Sequence, residues 1–366
     1  MSASESAGGE ITSLGNDVLL AFIPLAENPE WTEKLAKKFK GLQIRWVKSI
    51  TPEHTIVKPD DLPAETWDGV TLLYTFLPPR IELIPKVRFV QLTSAGADKW
   101  PGHPKYQDES VVFCTSNGSH APQIAEWVIG AWLSHEHGFR RYAENMKTAH
   151  WESPFASNAR DSTAQRVGIL GYGAIGRQCA RLASALGMEI YAYTRSERSS
   201  PKSRKDDSYC VPGTGDPDGL LPSKWFHGAA REAVNDFLAQ DLDLLIISLP
   251  LTEETRHIIS HEQLALLGKK KAFVANIARG GHINQDALIQ ALESGQIRGA
   301  ALDVTDPEPL PADHPLWKAP NLLLTPHVSW KTDSLGKRLL DILEQNLEKL
   351  ATGQPLINVV NRKLHY

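Results

Sequence analysis

Cysteine is scarce in this chain. Cys114, Cys179 and Cys210 are the only three in 366 residues, and no two stand in a C-x-x-C spacing. That excludes a disulfide framework and the common zinc spacings, and it suits thiols kept in a reducing compartment. No segment approaches the roughly 18 consecutive apolar residues that span a bilayer. A basic excess is also missing. The formal net charge of -4 gives nucleic acid or an anionic membrane no electrostatic footing as a partner. Met1 to Glu10 has neither a basic n-region nor an apolar h-region, so it reads as a disordered leader rather than a secretion signal. Leu364-His365-Tyr366 is not the Ser-Lys-Leu peroxisomal address. Cytosol is the expected compartment.

What is present is an ordinary globular composition, 42% hydrophobic and 22% charged, in a length that suits about two domains of roughly 150 residues. In the first third, short apolar runs at Val18–Ile23, Gln43–Val47, Val70–Thr75, Phe89–Thr93 and Val111–Thr115 read as strands. A helical stretch, Pro29–Lys40, lies between the first two. Ala121–Ser134 has apolar residues at helical spacing. After residue 166 the alternation resumes, with strands expected at Glu189–Tyr193, Leu242–Ser248, Ala272–Asn276, Gly299–Asp303 and Asn321–Thr325. Helices are expected at Ala229–Ala239 and Asp333–Leu350. Such alternation predicts an α/β protein with parallel sheets. Residues 196–222 are rich in Ser, Lys, Asp, Pro and Gly and lack periodicity, so they read as a long, partly mobile surface loop.

The most informative segment is 167–180, VGILGYGAIGRQCA. An apolar run ends in Gly171-Tyr172-Gly173-Ala174-Ile175-Gly176, and a helical stretch from Arg177 to Leu186 follows. In that strand–turn–helix context the three glycines are a dinucleotide fingerprint. Gly171 permits the tight turn, Gly173 lets backbone approach a pyrophosphate, and Gly176 lets helix and strand pack closely. The helix start offers unpaired N–H groups to phosphate.

Four charged or titratable side chains stand at or just past strand ends in the second half: Arg279, Asp303, Glu308 and His327. In open α/β sheets, ligands bind outside the carboxyl ends of the strands. Reduction of a carbonyl leaves an alkoxide that needs a proton, and histidine titrates near neutrality, so His327 suits acid/base work. A carboxylate beside it favours the imidazolium and fixes the tautomer, a role for Glu308. Arg279 offers a planar fork for a carboxylate or a carbonyl oxygen. Asp306 is a weaker candidate than Glu308. Trp330 stands close enough in sequence to His327 to line a substrate pocket. His120, His135 and His137 do not share a helical face, so no metal site is expected; solvated or capping roles are. Glu126, on the same helix, reads as a structural hydrogen-bond partner.

These residues, with Val87–Asp98 (VRFVQLTSAGAD), Leu249–Thr255 (LPLTEET), Asn276–Gly281 (NIARGG), Leu302–Val304 (LDV) and Asn358–Lys363 (NVVNRK), resemble the D-isomer-specific 2-hydroxyacid dehydrogenases. The resemblance implies two Rossmann-like domains with doubly wound parallel sheets and an inter-domain active-site cleft. It places a substrate domain at 1–117 plus 332–366 and a dinucleotide-binding domain at 118–331, joined by helices near 119–135 and 332–350. It implies Arg279, Glu308 and His327 as the catalytic set. Leu249, Pro250, Thr255, Ile277 and Ala278 would line the cofactor, and Asp303 would meet the nicotinamide amide. Amides at Ser94, Ala95 and Gly96 would cradle the substrate carboxylate with Arg279, His327 and Trp330. A homodimer is implied by analogy alone.

The ribose position is readable directly. Eighteen positions past Gly176, where an NAD-binding protein would carry Asp or Glu, the chain reads Thr194-Arg195-Ser196. With no carboxylate to repel a 2′-phosphate and a guanidinium to bind one, NADP is favoured over NAD; Arg198 is a possible helper. The expected activity is hydride transfer between NADPH and the carbonyl of a small 2-oxo acid. The competing reading is a dinucleotide-sensing co-repressor on the same fold.

Overall fold

The computed structural model describes residues 14–157 and 159–363; the Met1–Glu10 leader and Leu364–Tyr366 lie outside the described residues. The chain divides into two compact units. One runs to Ser119 and resumes at Asp333; the other is His120–Thr332.

The first unit carries a parallel sheet of β1 (Val18–Ile23), β2 (Gln43–Lys48), β3 (Leu72–Thr75), β4 (Phe89–Leu92) and β5 (Val112–Cys114), in the order β2-β1-β3-β4-β5. β1 is buried at every position, which is why it reads as an unbroken apolar run rather than an alternating one. α1 (Pro29–Lys38) begins where the Asn28 side chain accepts the Trp31 amide, with proline in its first position, so the cap satisfies one orphan donor and the proline removes another. α2 (Pro104–Gln107) is a single turn.

The second unit is built on seven parallel strands: β6 (Arg166–Leu170), β7 (Glu189–Thr194), β8 (Lys224–His227), β9 (Leu244–Ile247), β10 (Phe273–Asn276), β11 (Gly299–Leu302) and β12 (Leu322–Leu324). Their order is β12-β11-β10-β9-β6-β7-β8. The chain therefore reverses direction across the sheet between β6 and β9, the crevice where doubly wound sheets take their ligands. α3 (Ala121–Glu136) and α5 (Ala174–Ala185) cover one face through Val128, Trp132, Cys179 and Ala183. α7 (Arg231–Leu238), α8 (His261–Gly268) and α9 (Gln285–Glu293) cover the other through Phe237, Leu264 and Leu288. α4 (Phe139–Lys147) and the four-residue α6 (Pro201–Arg204) lie outside these layers.

The chain returns to the first unit through α10 (Leu335–Thr352), whose Leu335, Leu339, Leu343 and Leu347 pack on β1 and β3 beside Trp31 and Leu35 of α1. Lys34 and Lys38 of α1 reach Glu344 of α10 at 2.7 and 3.2 Å.

Several expectations need correction. The helix after the glycine turn starts at Ala174, not Arg177. β8 and α4 are absent from the sequence reading. β8 has half-exposed Trp225 and Phe226 between exposed Lys224 and His227, as befits an edge strand without a strong apolar signature. Residues 196–222 are not a loose loop: they hold α6 and are hydrogen-bonded to α5. His135 is not solvated. Its ring lies against that of Phe273, tilted by 39° with centroids 4.8 Å apart, and burial, helped by Arg298 and Arg140, pushes the imidazole down to about 4. His120 is also buried. Glu126 is exposed; the buried carboxylate of α3 is Glu136, which meets Arg298 at 3.0 Å. No helix among the described residues is long and apolar enough to cross a membrane.

Candidate active site

The glycine turn joins β6 to α5. Gly171 has φ +104°, a left-handed conformation, and a Cβ there would press on the Leu249 amide at 2.8 Å. A Cβ on Gly176 would collide with the Gly171 carbonyl, so the first helical turn can sit this close to the strand only with glycine. Gly173 is different. It is exposed, a Cβ there would meet nothing within 4 Å, and it stands at the N-cap of α5 with no side-chain cap. Open space in front of uncapped helix N–H groups is what a pyrophosphate needs. Tyr172 and Ala174 are buried beside it, and Ile175 is half-buried.

Around this turn lie the other candidate cofactor residues. Thr194 ends β7 and donates its hydroxyl to the Ser196 carbonyl at 2.7 Å, while Arg195 and Ser196 are exposed. The Arg198 guanidinium, by contrast, is engaged with the Ser203 carbonyl. Thr255 Oγ1 accepts the Thr252 amide at 2.7 Å and donates to the Pro250 carbonyl at 3.0 Å, which folds the segment after Leu249 into a tight turn. Ile277 and Ala278 are buried at the end of β10.

Arg279, Glu308 and His327 follow β10, β11 and β12, three adjacent strands whose carboxyl ends share one edge of the sheet. His327 Nδ1 meets Glu308 Oε2 at 2.9 Å. Burial alone would push the Glu308 carboxyl up; the His327 hydrogen bond and charge, the Thr305 amide and Arg279 together hold it below the usual carboxylate range. An ionised Glu308 can only accept, so His327 Nδ1 is the donor. Nε2 is then the ring atom left for chemistry. Arg279 is half-buried and donates to the Ala278 carbonyl at 2.6 Å. Its neighbour Gly280 is obligatory: a Cβ there would overlap the Thr305 backbone, the strand exit that carries Glu308.

Asp303 organises the His327 turn. It is 1% exposed. Its Oδ1 accepts from Thr325 Oγ1 at 2.5 Å and from the Val328 amide at 2.8 Å, and its Oδ2 from the Ser329 amide at 2.9 Å. Its carbonyl accepts the His327 amide at 2.8 Å. All of this holds His327 at φ +54°, a left-handed conformation uncommon for any residue but glycine. Trp330 Nε1 donates to the His327 carbonyl at 2.7 Å, and Gln123 holds the Trp330 carbonyl at 2.9 Å. Asp306 points elsewhere, to Arg256 at 3.4 Å. Ser94, Ala95 and Gly96 follow β4 in the first unit, where Ser94 Oγ donates to the Gly96 carbonyl at 2.6 Å.

Three organising residues escape the sequence reading. Asn276, 1% exposed, spans the Arg279 turn by accepting the Ala278 amide at 3.1 Å and donating to the Arg279 carbonyl at 2.9 Å. Fully buried His282 sets its two ring nitrogens against the carbonyls of Arg279 and Pro250, at 3.0 and 3.2 Å. Thr325 braces Asp303. Asn276 and Thr325 lie in segments already singled out and His282 directly follows one, but only coordinates show which way a polar side chain turns. Among the described residues no three His, Cys, Asp or Glu side chains gather as metal ligands.

Residues 129–212 and 222–329 match the D-isomer specific 2-hydroxyacid dehydrogenase, NAD binding domain. The chain is 29% identical over 283 residues to the D-3-phosphoglycerate dehydrogenase of Methanocaldococcus jannaschii, covering 77% of this chain and 49% of that one. It thus spans about half the length of that relative. It is 30% identical over 298 residues to glyoxylate/hydroxypyruvate reductase A of Salmonella paratyphi C, covering 79% and 85%. The solved structure of a D-isomer specific 2-hydroxyacid dehydrogenase from Xanthobacter autotrophicus Py2, in complex with NADPH and MES, superposes with a TM-score of 0.72 at 25% identity, over 96% and 99% of the two chains. The chain belongs to the D-isomer specific 2-hydroxyacid dehydrogenase family.

Proposed function

We propose that this protein is an NADPH-dependent reductase of small 2-oxo acids, running in reverse as a D-2-hydroxyacid dehydrogenase. The observation that carries the reading is the 2.9 Å contact between His327 Nδ1 and Glu308 Oε2, with Arg279 beside it, at the carboxyl edge of a sheet whose glycine turn is open to a pyrophosphate.

The residues present fit a nicotinamide dinucleotide. Gly171 to Gly176 and the α5 N-terminus would hold its pyrophosphate, Leu249, Pro250, Thr255, Ile277 and Ala278 would line it, and Thr194, Arg195 and Ser196 would face its ribose. When bound, it supplies the hydride. This chain's residues supply orientation and the proton. Arg279 holds the substrate carboxylate or polarises the ketone. His327 Nε2 gives a proton to the carbonyl oxygen as negative charge develops there. Glu308 stabilises the imidazolium before the transfer and keeps the tautomer correct after it. Asp303 accepts from three donors of the His327 turn, and a carboxylate has about four acceptor sites, so it would position that turn and still have one site for the nicotinamide amide.

A homodimer completes the reading. α4 presents Phe139, Tyr142 and Met146 at helical spacing, all exposed, and Trp151 and Phe155 beyond it are 92% and 94% exposed. An apolar run of this kind on a charged surface fits a partner copy. A reducing, cytosolic setting suits the free cysteines, two of them buried thiols pushed up to about 12 by desolvation.

The test is steady-state turnover. Purified protein is expected to oxidise NADPH with glyoxylate, hydroxypyruvate or a bulkier 2-oxo acid. Nucleotide binding with no turnover across such a panel would instead favour the co-repressor reading.

A further inference from the structure

Arg177 is the residue directly after the third glycine of the turn, in the first turn of α5, yet it is 4% exposed. A guanidinium is buried only where partners replace its water. Here they come from one place. Nη2 donates to the Arg204 carbonyl at 2.7 Å and Nη1 donates to the Asp216 carbonyl, while Nε lies 3.2 Å from Asp206 Oδ2 as an ion pair without a hydrogen bond. The plane also lies over the Tyr172 ring, 5.0 Å from its centroid. Asp206, Arg204 and Asp216 all belong to the 196–222 segment, and it is inside this segment, between 212 and 222, that the family match breaks.

Two further ties join the same pieces. The Tyr172 hydroxyl donates to Asp216 Oδ2 at 2.8 Å, and the Gly215 amide donates to Gln178 Oε1 at 2.6 Å. At its other end the segment grips the loop after β7. Arg204 Nε donates to the Arg198 carbonyl at 2.9 Å, and Arg198 reaches back to the Ser203 carbonyl. A continuous chain of contacts therefore runs from the glycine turn, through Arg177 and Arg204, to Arg198, three residues past Arg195.

We propose that Arg177 is a positioning residue for cofactor choice: by clasping the 199–221 segment to α5 it holds the Arg195–Arg198 loop in the shape that receives the ribose 2′-phosphate. The inference rests on the reading that Arg195 and Ser196 select NADPH. Nothing in the network points to the reacting carbon, and its far end is the loop where the two nucleotides differ, so its loss weighs on NADPH more than on NADH.

The test compares wild type, Arg177→Lys and Asp206→Asn, measuring the Kd of NADPH and of NADH by nucleotide fluorescence and kcat at saturating NADPH. Lysine keeps the charge but cannot bridge three partners. Both variants are expected to raise the NADPH Kd about tenfold, the scale of one charge-assisted contact, with a clearly smaller rise in the NADH Kd and kcat unchanged. Asp206 is a quarter exposed, so its variant carries the test if the lysine variant fails to fold. Equal loss of both nucleotides, or no loss of either, overturns the proposal. A wild type with no preference for NADPH overturns the reading beneath it, and with it the proposal.

Discussion

The Asp303 carbonyl accepts the His327 amide at 2.8 Å, while the Asp303 carboxylate takes the amides of Val328 and Ser329. One buried side chain thus fixes the backbone on which the proposed acid/base group stands. Asp303→Asn replaces an acceptor with an N–H that must face another donor. A buried, mismatched pair of this kind costs about 2–4 kcal/mol. The variant is expected to melt earlier and to lose kcat through a displaced His327, while NADPH still binds. Thermal denaturation and steady-state kinetics check this together.

Glu308→Gln tests the carboxylate behind the imidazole. An amide cannot stabilise imidazolium, so kcat is expected to fall by about 10²-fold, within the range general acid–base partners contribute. The pH sign follows from the lowered Glu308 value. A depressed carboxyl contributes stability above its unfolded value and loses it as pH falls through the folded one. The stability gap between wild type and variant is therefore expected to be full at neutral pH and to close in acid below the ordinary glutamate range. Denaturant midpoints across pH measure it.

His135 gives the second pH prediction. Burial and the nearby Arg298 and Arg140 hold it near 4, against 6.5 for a free imidazole. Between those values the unfolded chain binds the proton and the folded chain does not, so stability falls as pH drops from 6.5 towards 4, at up to about 1.4 kcal/mol per pH unit. His135→Gln is expected to flatten that slope while lowering stability at pH 7. A slope identical to wild type counts against a neutral His135.

The exposed aromatics of 139–155 give an association prediction. If wild type sediments as the proposed dimer, Trp151→Ser with Phe155→Ser is expected to shift it to monomer, leaving the secondary structure intact. A variant that remains dimeric places the interface elsewhere.

How much of this was legible in the sequence differs by element. Strands such as β1 and β9 announce themselves because burial on both faces demands unbroken apolar runs. The Gly171–Gly176 turn was legible because backbone geometry and close approach leave glycine no substitute. Arg279, Glu308 and His327 were legible as strand-end residues of suitable chemistry. β8 was not, since its edge position leaves half its residues in water, nor was α4, whose apolar face is exposed. The grip of Arg177 on residues 204–216 was hidden too. Arginine in a first helical turn reads as a surface charge, and only tertiary structure shows which carbonyls turn towards it. Asp303 shows the same limit: its identity was clear, but the direction of its carboxylate was not.

The central claim is that His327 moves the substrate proton. The direct measurement is NADPH oxidation with a 2-oxo acid by wild type and His327→Ala, alongside NADPH affinity for each. The account predicts turnover by wild type, a loss in kcat of about 10³-fold in the variant, and equal nucleotide Kd values. A variant that turns over as fast as wild type contradicts it.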